Sequence, residues 1–307
     1  MRGDPFSEIL KLTKAESLVT GGFTAGGAWA LRFPVPKSVK FFAVVNGHCS
    51  VRIDGHREWL RFEAGDIGLL SARRAFVIAS HPRVKPIDAM AIFSGAGRST
   101  AKLGDGREFS YLGGHVLLDP SSGDLLADVL PPWIRIDAVT PQATVFRWLL
   151  AQLVEERATE MPGAQLASAQ LAQLLFIQIL RAHLATAEVT TPSWLRALGD
   201  PRIAPALRLM HGDPGRAWHL EDLAKASAMS RTTFALHFKT IAGVAPLTYL
   251  TEWRMRLAAR ALRDDITPVS ELARTLGYAS ESAFSNAFKR VTGTSPRGYR
   301  SRARATA

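Results

Sequence analysis

Cysteine is almost absent: the 307-residue chain has one, Cys49. A single thiol excludes an internal disulfide and a multi-cysteine zinc site, and it fits a reducing compartment. Long hydrophobic runs are missing as well. The most apolar stretch, 171–180, is broken by Gln173 and Gln178. It falls short of the ~18 apolar residues a membrane span needs. The opening Met1-Arg2-Gly3-Asp4-Pro5 leads into no unbroken apolar core of the signal-peptide kind. A cytoplasmic protein without membrane contact is therefore expected. No Gly-x-Ser-x-Gly elbow, phosphate-binding Gly-rich loop or dinucleotide motif occurs, so no cofactor and no catalytic nucleophile is expected.

What the chain does have is ordinary globular composition, 47% hydrophobic and 21% charged, at a length that fits two or three domains. Its charge is unevenly placed. The net charge is +11, and residues 201–307 carry 17 Lys+Arg against 8 Asp+Glu, or +9 of that total. A basic final third points to a polyanionic partner, although a solvated basic surface would give the same count.

Residues 1–130 read mostly as strands. Apolar or alternating segments occur at 39–45, 51–53, 59–62, 67–70, 76–79 and 87–93. Asp54-Gly55 and Glu63-Ala-Gly-Asp66 supply turns between them, and Gly113-Gly114 punctuates the end of the series. Many short strands at close spacing predict a β-barrel or a sandwich. Residues 5–18 read as a short leading helix. From 131 the period becomes helical: Phe146, Leu149, Leu150 and Leu153 recur, then Leu171, Leu174, Leu175 and Ile179, with Met161-Pro-Gly163 between them. This pair, in a connector over 131–200, serves either as core or as a dimerisation surface. Thr190-Thr-Pro192 and Gly199-Asp-Pro201 read as linker punctuation.

The final stretch, 201–305, repeats itself. Sliding the chain by 50 residues superposes Ser230 on Ser280, Phe234 on Phe284, Phe238 on Phe288 and Lys239 on Lys289. Gly243, Pro246 and Tyr249 fall on Gly293, Pro296 and Tyr299. Seven identities in 20 positions exceed the about one or two that composition would give by chance. Each copy has the order of a helix-turn-helix: a short helix, a turn, a serine N-cap, a second helix, a glycine stop and a proline breaker.

At 100° per residue, Phe234, His237, Phe238 and Ile241 share one face of the first copy's second helix, and Phe284, Ala287, Phe288 and Val291 one face of the other. These faces are expected to pack inward. The opposite sides present Thr232, Ala235, Leu236 and Lys239, with Ser230 and Arg231 leading, and Ser282, Ser285, Asn286 and Lys289, with Ser280, Glu281 and Arg290 flanking. Such a small, polar, cationic side suits a major groove: Asn can pair with adenine, and Ser or Thr with bases or phosphates. Leu236 and Ala235 offer apolar contact only, as to thymine methyls. Residues 247–262 read as one helix joining the copies, whose arginines 254, 256, 260 and 263 are expected to neutralise phosphates. Two recognition helices about 34–36 Å apart could then enter successive major grooves.

Residues 201–303 resemble the DNA-binding domain of the AraC/XylS family of bacterial transcription regulators. The resemblance is carried by Trp218-His-Leu-Glu-Asp-Leu-Ala224, Met229-Ser-Arg231, Gly243-Val-Ala-Pro246, Arg254-Met-Arg-Leu-Ala258, Leu276-Gly-Tyr278, Phe288-Lys289 and Gly293-Thr-Ser-Pro296. It implies seven helices, double-stranded promoter or operator DNA as partner, and RNA polymerase as a candidate partner of an activator. The chain departs from many members in having Leu236 where a cation is common.

Trp29-Ala-Leu-Arg32-Phe33-Pro34, Gly47-His-Cys49, Asp54-Gly55 and Glu63-Ala-Gly-Asp66 resemble the cupin-type sensor domain of a branch of this family. The architecture expected is thus multidomain α+β: a cupin-like β-barrel, a helical connector and an all-α double helix-turn-helix. Catalytic cupins hold a metal through a His-x-His pair, a carboxylate and a later His. No two of the eight histidines here are separated by one residue. Phe42 and the 75–77 region stand where related sensors often carry His. No metal site is expected, and the rival reading, a cupin-type metal-dependent enzyme with an accessory DNA-binding domain, loses support. A third class, nonspecific nucleoid binding, would show no preference for particular sites. An apolar barrel can still hold a small-molecule effector, for which Trp29, Arg32, Phe42, His48 and Phe76 are the candidate lining. A homodimer is a candidate assembly.

Overall fold

A computed structural model describes residues 4–71, 73–93, 100–119, 123–159, 161–186, 192–264 and 267–306. The chain forms two compact units. One is Lys14–Thr186; the other combines the described parts of the two chain ends, Met1–Thr13 and Ala187–Ala307. Of the Thr190-Thr-Pro192 segment Pro192 is described; Thr190 and Thr191 lie outside the described residues.

The chain opens on helix α1 (Pro5–Leu12). Asp4 caps it by accepting from the backbone N–H of Phe6 and Ser7 at 3.3 and 3.2 Å. The leading helix was expected to reach residue 18. It stops at Leu12 because Lys14 takes a left-handed φ of 44° and Glu16 begins a strand.

The strands follow as β1 (Glu16–Ala25), β2 (Ala30–Phe33), β3 (Val39–Asn46), β4 (His48–Ile53), β5 (Leu60–Glu63), β6 (Ile67–Leu70), β7 (Phe76–Ala79) and β8 (Ile87–Asp88). Helix α2 (Ala89–Phe93) precedes β9 (Thr100–Leu103) and β10 (Phe109–Leu117); α3 (Asp124–Ala127) precedes β11 (Trp133–Ile136). One sheet has the order β11-β6-β3-β10-β1-β9, the other β5-β4-β7-β2-β8. Phe23, Phe42 and Val44 of the first sheet meet Leu31, Val51, Phe62 and Ile78 of the second in a common core. The sheets are not closed into a barrel, so of the two arrangements the strand pattern allows the cupin-like domain takes the two-sheet sandwich.

Three expectations change in this unit. Residues 87–93, read as a strand, divide into β8 and α2. Gly113 and Gly114 do not end the series but lie inside the long strand β10. A side chain on Gly114 would meet the Phe41 ring at 2.3 Å and the Leu18 carbonyl at 2.4 Å, so close packing explains the glycine. The helical period assigned from 131 begins later, after β11. The Glu63-Ala-Gly-Asp66 turn is as read, and its Asp66 is buried: it accepts from the N–H of Glu63 and Ala138 and pairs with Arg135 at 3.0 Å.

The helix pair expected within the 131–200 connector packs on this same unit as α4 (Ala143–Thr159) and α5 (Ala164–Ala185). Gly163 enters α5 with φ 87°, as the Met161-Pro-Gly163 break requires. Helix α5 lies on β1 and β11, and Gln173 accepts the N–H of Ser17 at 3.0 Å.

The helical unit contains α6 (Trp194–Gly199), α7 (Ala204–Gly212), α8 (Leu220–Ala226), α9 (Arg231–Ala242), α10 (Pro246–Asp264), α11 (Val269–Thr275), α12 (Glu281–Thr292) and α13 (Pro296–Thr306). The seven helices implied for 201–303 are α7 to α13. Helix α1 joins them, burying Phe6, Ile9, Leu10 and Leu12 against α7 and α10. No described helix is long and apolar enough to cross a membrane.

Between α7 and α10, His211 stacks on Trp253 with ring centres 4.1 Å apart and is hydrogen-bonded to the Tyr249 hydroxyl at 2.8 Å. Burial pulls its imidazole down to about 3; Asp4 opposes this and Arg256 adds to it. The unfolded chain takes up a proton at this residue near pH 6.5, whereas the folded unit resists it until about pH 3. Stability from the neutral imidazole is therefore complete above about pH 6.5 and is lost as the pH falls. Between pH 7.5 and 5.0 the loss should be about 2 kcal/mol. Denaturant unfolding of the full chain at the two pH values, compared with a His211→Leu variant in which this loss is missing, measures it.

Candidate functional site

The sequence repeat becomes a repeat of packing. In the first copy Phe234 and Phe238 lie 5.7 Å apart, and Phe238 meets Tyr249 edge-on at 5.6 Å. In the second, Phe284 and Phe288 lie 5.8 Å apart, and Phe288 meets Tyr299 edge-on at 5.5 Å. All four phenylalanines are fully buried. Each aromatic ladder nails a second helix, α9 or α12, to the helix that follows it.

The local signals work as the sequence requires. Ser230 accepts the N–H of Thr233 at 3.2 Å, and Ser280 that of Ala283 at 3.1 Å. Gly243 and Gly293 end the helices with φ 82° and 75°. The turns between the paired helices are also alike. Met229 donates to the Ala224 carbonyl, and Tyr278 to that of Ala273, each across five residues. The residue before each donor is left-handed: Ala228 with φ 51° in one copy, Gly277 with φ 78° in the other. Alanine bears a strain there that glycine does not.

With the ladders inward, the opposite sides of α9 and α12 face out. Arg231, Thr232, Leu236 and Lys239 are exposed, and Ala235 is half-buried. Ser282, Asn286, Lys289 and Arg290 are exposed, while Ser285 and Glu281 are half-buried. Leu236 is 68% exposed, an unusual position for a leucine without a partner. Ser230 and Ser280 sit at the leading ends, but their hydroxyls are engaged in capping. Glu281 pairs with Arg297 at 3.6 Å. Two expected inward residues differ. His237 is only partly covered and bonds Asp200 at 2.9 Å. Val291 is exposed, whereas the matching Ile241 is buried on the helix that α6 packs against, with Ser193 donating to its carbonyl.

The arginines of α10 are not all free for phosphates. Arg254 donates to the carbonyls of Pro214 and Arg216 at 2.6 and 2.8 Å and lies over the Tyr278 ring. Arg256 reaches Glu252, and Arg260 reaches Asp264. The loop that Arg254 grips touches the second copy directly. A side chain on Gly215 would meet the Thr275 carbonyl at 2.2 Å, and one on Gly277 the Gly215 carbonyl at 2.1 Å. Sequence periodicity could not show this clamp; the bare glycines were its only trace.

In the sheet-rich unit a cleft of about 480 Å³ opens between the two sheets. Phe33, Phe76, Met90 and Phe93 form one wall, and Lys40, Tyr111, Gly113 and His115 the other. Of the five expected effector residues only Phe76 is in this lining. Trp29 and Phe42 are in the solid core, Trp29 with its ring 4.6 Å from that of Phe109. Arg32 points outward and pairs with Asp54, and His48 is exposed on β4. Trp29 and Phe42 read as lining because sequence does not distinguish a core face from a cavity face. Cys49 is fully buried, and its thiol is pushed up to about 12 by burial, with Asp66 and Glu63 adding to the shift. Such a thiol is inert. Among the described residues no three His, Cys, Asp or Glu are grouped to hold a metal ion.

Comparison with known proteins follows the same division. Residues 4–185 match the family described as Cupin, and residues 223–302 the family described as Helix-turn-helix domain. A Streptomyces lividans protein named as an AraC-like transcription regulator is 39% identical over 297 residues, covering 97% of this chain and 98% of its own. The HTH-type transcriptional regulator AlkR of Acinetobacter baylyi is 33% identical over 77% of this chain and 79% of its own. The DNA-binding domain of AdpA, solved in complex with a target DNA, is 32% identical over 35% of this chain and 96% of that one, with a TM-score of 0.34.

The two turns yield a paired expectation. Ala228→Gly should stabilise the helical unit by about 0.5–1 kcal/mol, since the left-handed strain is relieved. Gly277→Ala, at the matching position, should destabilise it by about 2–4 kcal/mol, adding that strain to a backbone clash. Denaturant midpoints of the two variants decide both signs.

Proposed function

This chain belongs to the AraC-like transcription regulators, with a cupin domain and a helix-turn-helix domain, and on that premise we propose how its residues divide the work. It is a DNA-binding regulator, not an enzyme. The recognition surface is the exposed sides of α9 and α12. Asn286, Ser282 and Ser285 read base edges from α12, with Asn286 pairing to adenine. Thr232, Ala235 and Leu236 give α9 a methyl-reading surface suited to thymine. Lys239, Lys289, Arg231 and Arg290 bind phosphates and set the register. Ser230 and Ser280 hold the leading ends, and Glu281 orients Arg297. The observation that supports this most directly is the duplicated aromatic ladder, which leaves the same helical side uncovered in both copies.

The unit Lys14–Thr186 is the sensing half in this reading, and a small-molecule effector bound there shifts DNA affinity by linkage. Exposed Val145 and Trp148 on α4, with Leu166 and Leu174 on α5, offer an apolar surface for a homodimer. RNA polymerase is the further partner of an activator, and the cytoplasm is where such a protein meets the chromosome.

The test is a genome-wide footprint, followed by titration of the recovered site and of random DNA with the full chain. Specific binding should exceed random binding by about 10³-fold or more. Asn286→Ala should weaken specific binding by about 1–3 kcal/mol and relax one base position. Lys289→Ala should weaken both DNAs alike and flatten the salt dependence by about one unit of slope. Equal losses on both DNAs for Asn286→Ala would remove its base-reading role.

A further inference from the structure

The cleft of the sheet-rich unit carries an unusual set of side chains. On β3 the residues that alternate with Lys40 on the same face are Phe42 and Val44, both in the core between the sheets. On β10 the corresponding face carries Phe109, Tyr111, Gly113 and His115. The two strands pair so that His115 lies directly opposite Lys40, and Gly113 opposite Phe42. A lysine and a histidine therefore stand side by side on the interior face of the sandwich. No Asp or Glu is among the described residues that line the cleft, and no ion pair is formed by either group. Burial pulls the Lys40 ammonium down, and burial together with Lys40 pulls His115 down. Two interior nitrogen groups thus stand opposite each other, and no carboxylate among the described lining residues compensates their burial.

The rest of the cleft is apolar. Phe33 stacks on Phe76 with ring centres 4.8 Å apart, and Phe93 lies beside Phe33. Gly113 keeps the floor open, because a side chain there would strike the Tyr111 ring and hydroxyl. We propose that this cleft binds an organic monocarboxylate with an apolar body, its carboxylate between Lys40 and His115 and its body along Phe33, Phe76 and Phe93. A carboxylate supplies the acceptors that these nitrogens lack. A neutral hydrocarbon would leave both groups desolvated without compensation. A cation would be repelled, and a sugar would find few acceptors. The proposal rests on the reading of this unit as the sensing half, for which it names the ligand class.

Isothermal titration of the full chain with octanoate, octanol and octylamine tests it. Octanoate should bind saturably, at least tenfold tighter than octanol, and octylamine should not bind. Lys40→Met should lower octanoate affinity at least tenfold and leave octanol within about twofold, and Lys40→Arg should restore most of the octanoate affinity. Should Lys40→Met not fold, His115→Gln gives the same comparison. Absence of saturable octanoate binding, equal affinity for octanoate and octanol, or indifference of octanoate to both substitutions would overturn the proposal. Fluorescence anisotropy on the footprinted DNA, with and without octanoate, separates the two readings. Octanoate binding that leaves DNA affinity unchanged supports the site and removes the effector role, whereas a DNA response to other ligands without octanoate binding removes the site alone.

Discussion

Helix α10 and the grip of Arg254 set the terms for everything the helical unit does. A 19-residue helix is about 28 Å long. Its buried side runs from Tyr249 and Trp253 in the first copy to Met255, Ala258 and Leu262 against the second. A helix alone fixes a distance but leaves each module free to pivot at its end. Arg254 and the Gly215–Gly277 approach remove that freedom by pinning the loop before α8 to the turn before α12. The Trp218 indole stiffens this loop by donating to the Asp213 carbonyl at 2.8 Å, with Arg216 stacked over its ring. Two modules so joined bring one preset geometry to a duplex, and the entropy of aligning the second is spent in folding rather than in binding.

Duplication followed by divergence explains where the copies differ. Positions that build the module stay the same, namely the serine caps, the phenylalanine ladders, the stop glycines and the breaker prolines. The left-handed turn position differs because only the second turn is pressed against another backbone. There, Gly277 is the one residue type that fits, while Ala228 faces outward and is tolerated at the expense of strain. The outward positions differ most: Arg231 against Glu281, Leu236 against Asn286. Apart from the Glu281–Arg297 ion pair, no side-chain hydrogen bond or ion pair among the described residues holds these four, so their divergence belongs to what they touch rather than to what holds them.

The helical unit was largely legible in the sequence because its information is local. Caps, stops and 100° periodicity act within a dozen residues, and α9 and α12 begin and end where those signals stand. The exceptions involve partners distant in sequence. Val291 looks like core but is exposed, whereas its counterpart Ile241 lies on the helix that α6 packs against, and Arg254 looks like a phosphate contact until its two carbonyl partners appear. The sheet-rich unit was read less well. Gly113 and Gly114 resemble a chain break but occupy mid-strand positions where Phe41 and Tyr111 come close. Trp29 and Phe42 resemble a binding surface but fill the core. Lys40 and His115, 75 positions apart, become neighbours only through the β3–β10 register, which no local pattern encodes.

That register also bears on how a regulator of this kind could be controlled. A ligand shifts an equilibrium only through a difference in affinity between two states. In the proposed site an anion seated between Lys40 and His115 would supply the acceptors these interior groups lack, so it would favour the arrangement that holds it. The chain crosses between the two units at two points. It enters the sheet-rich unit after Thr13 and leaves it at 187, so both ends of the sensing half continue into elements of the helical unit, α1 at one end and α6 at the other. Helix α1 covers the α7–α10 seam where His211 and Trp253 stack, and α6 covers the last turn of α9. Both helices thus support the core that positions the recognition helices.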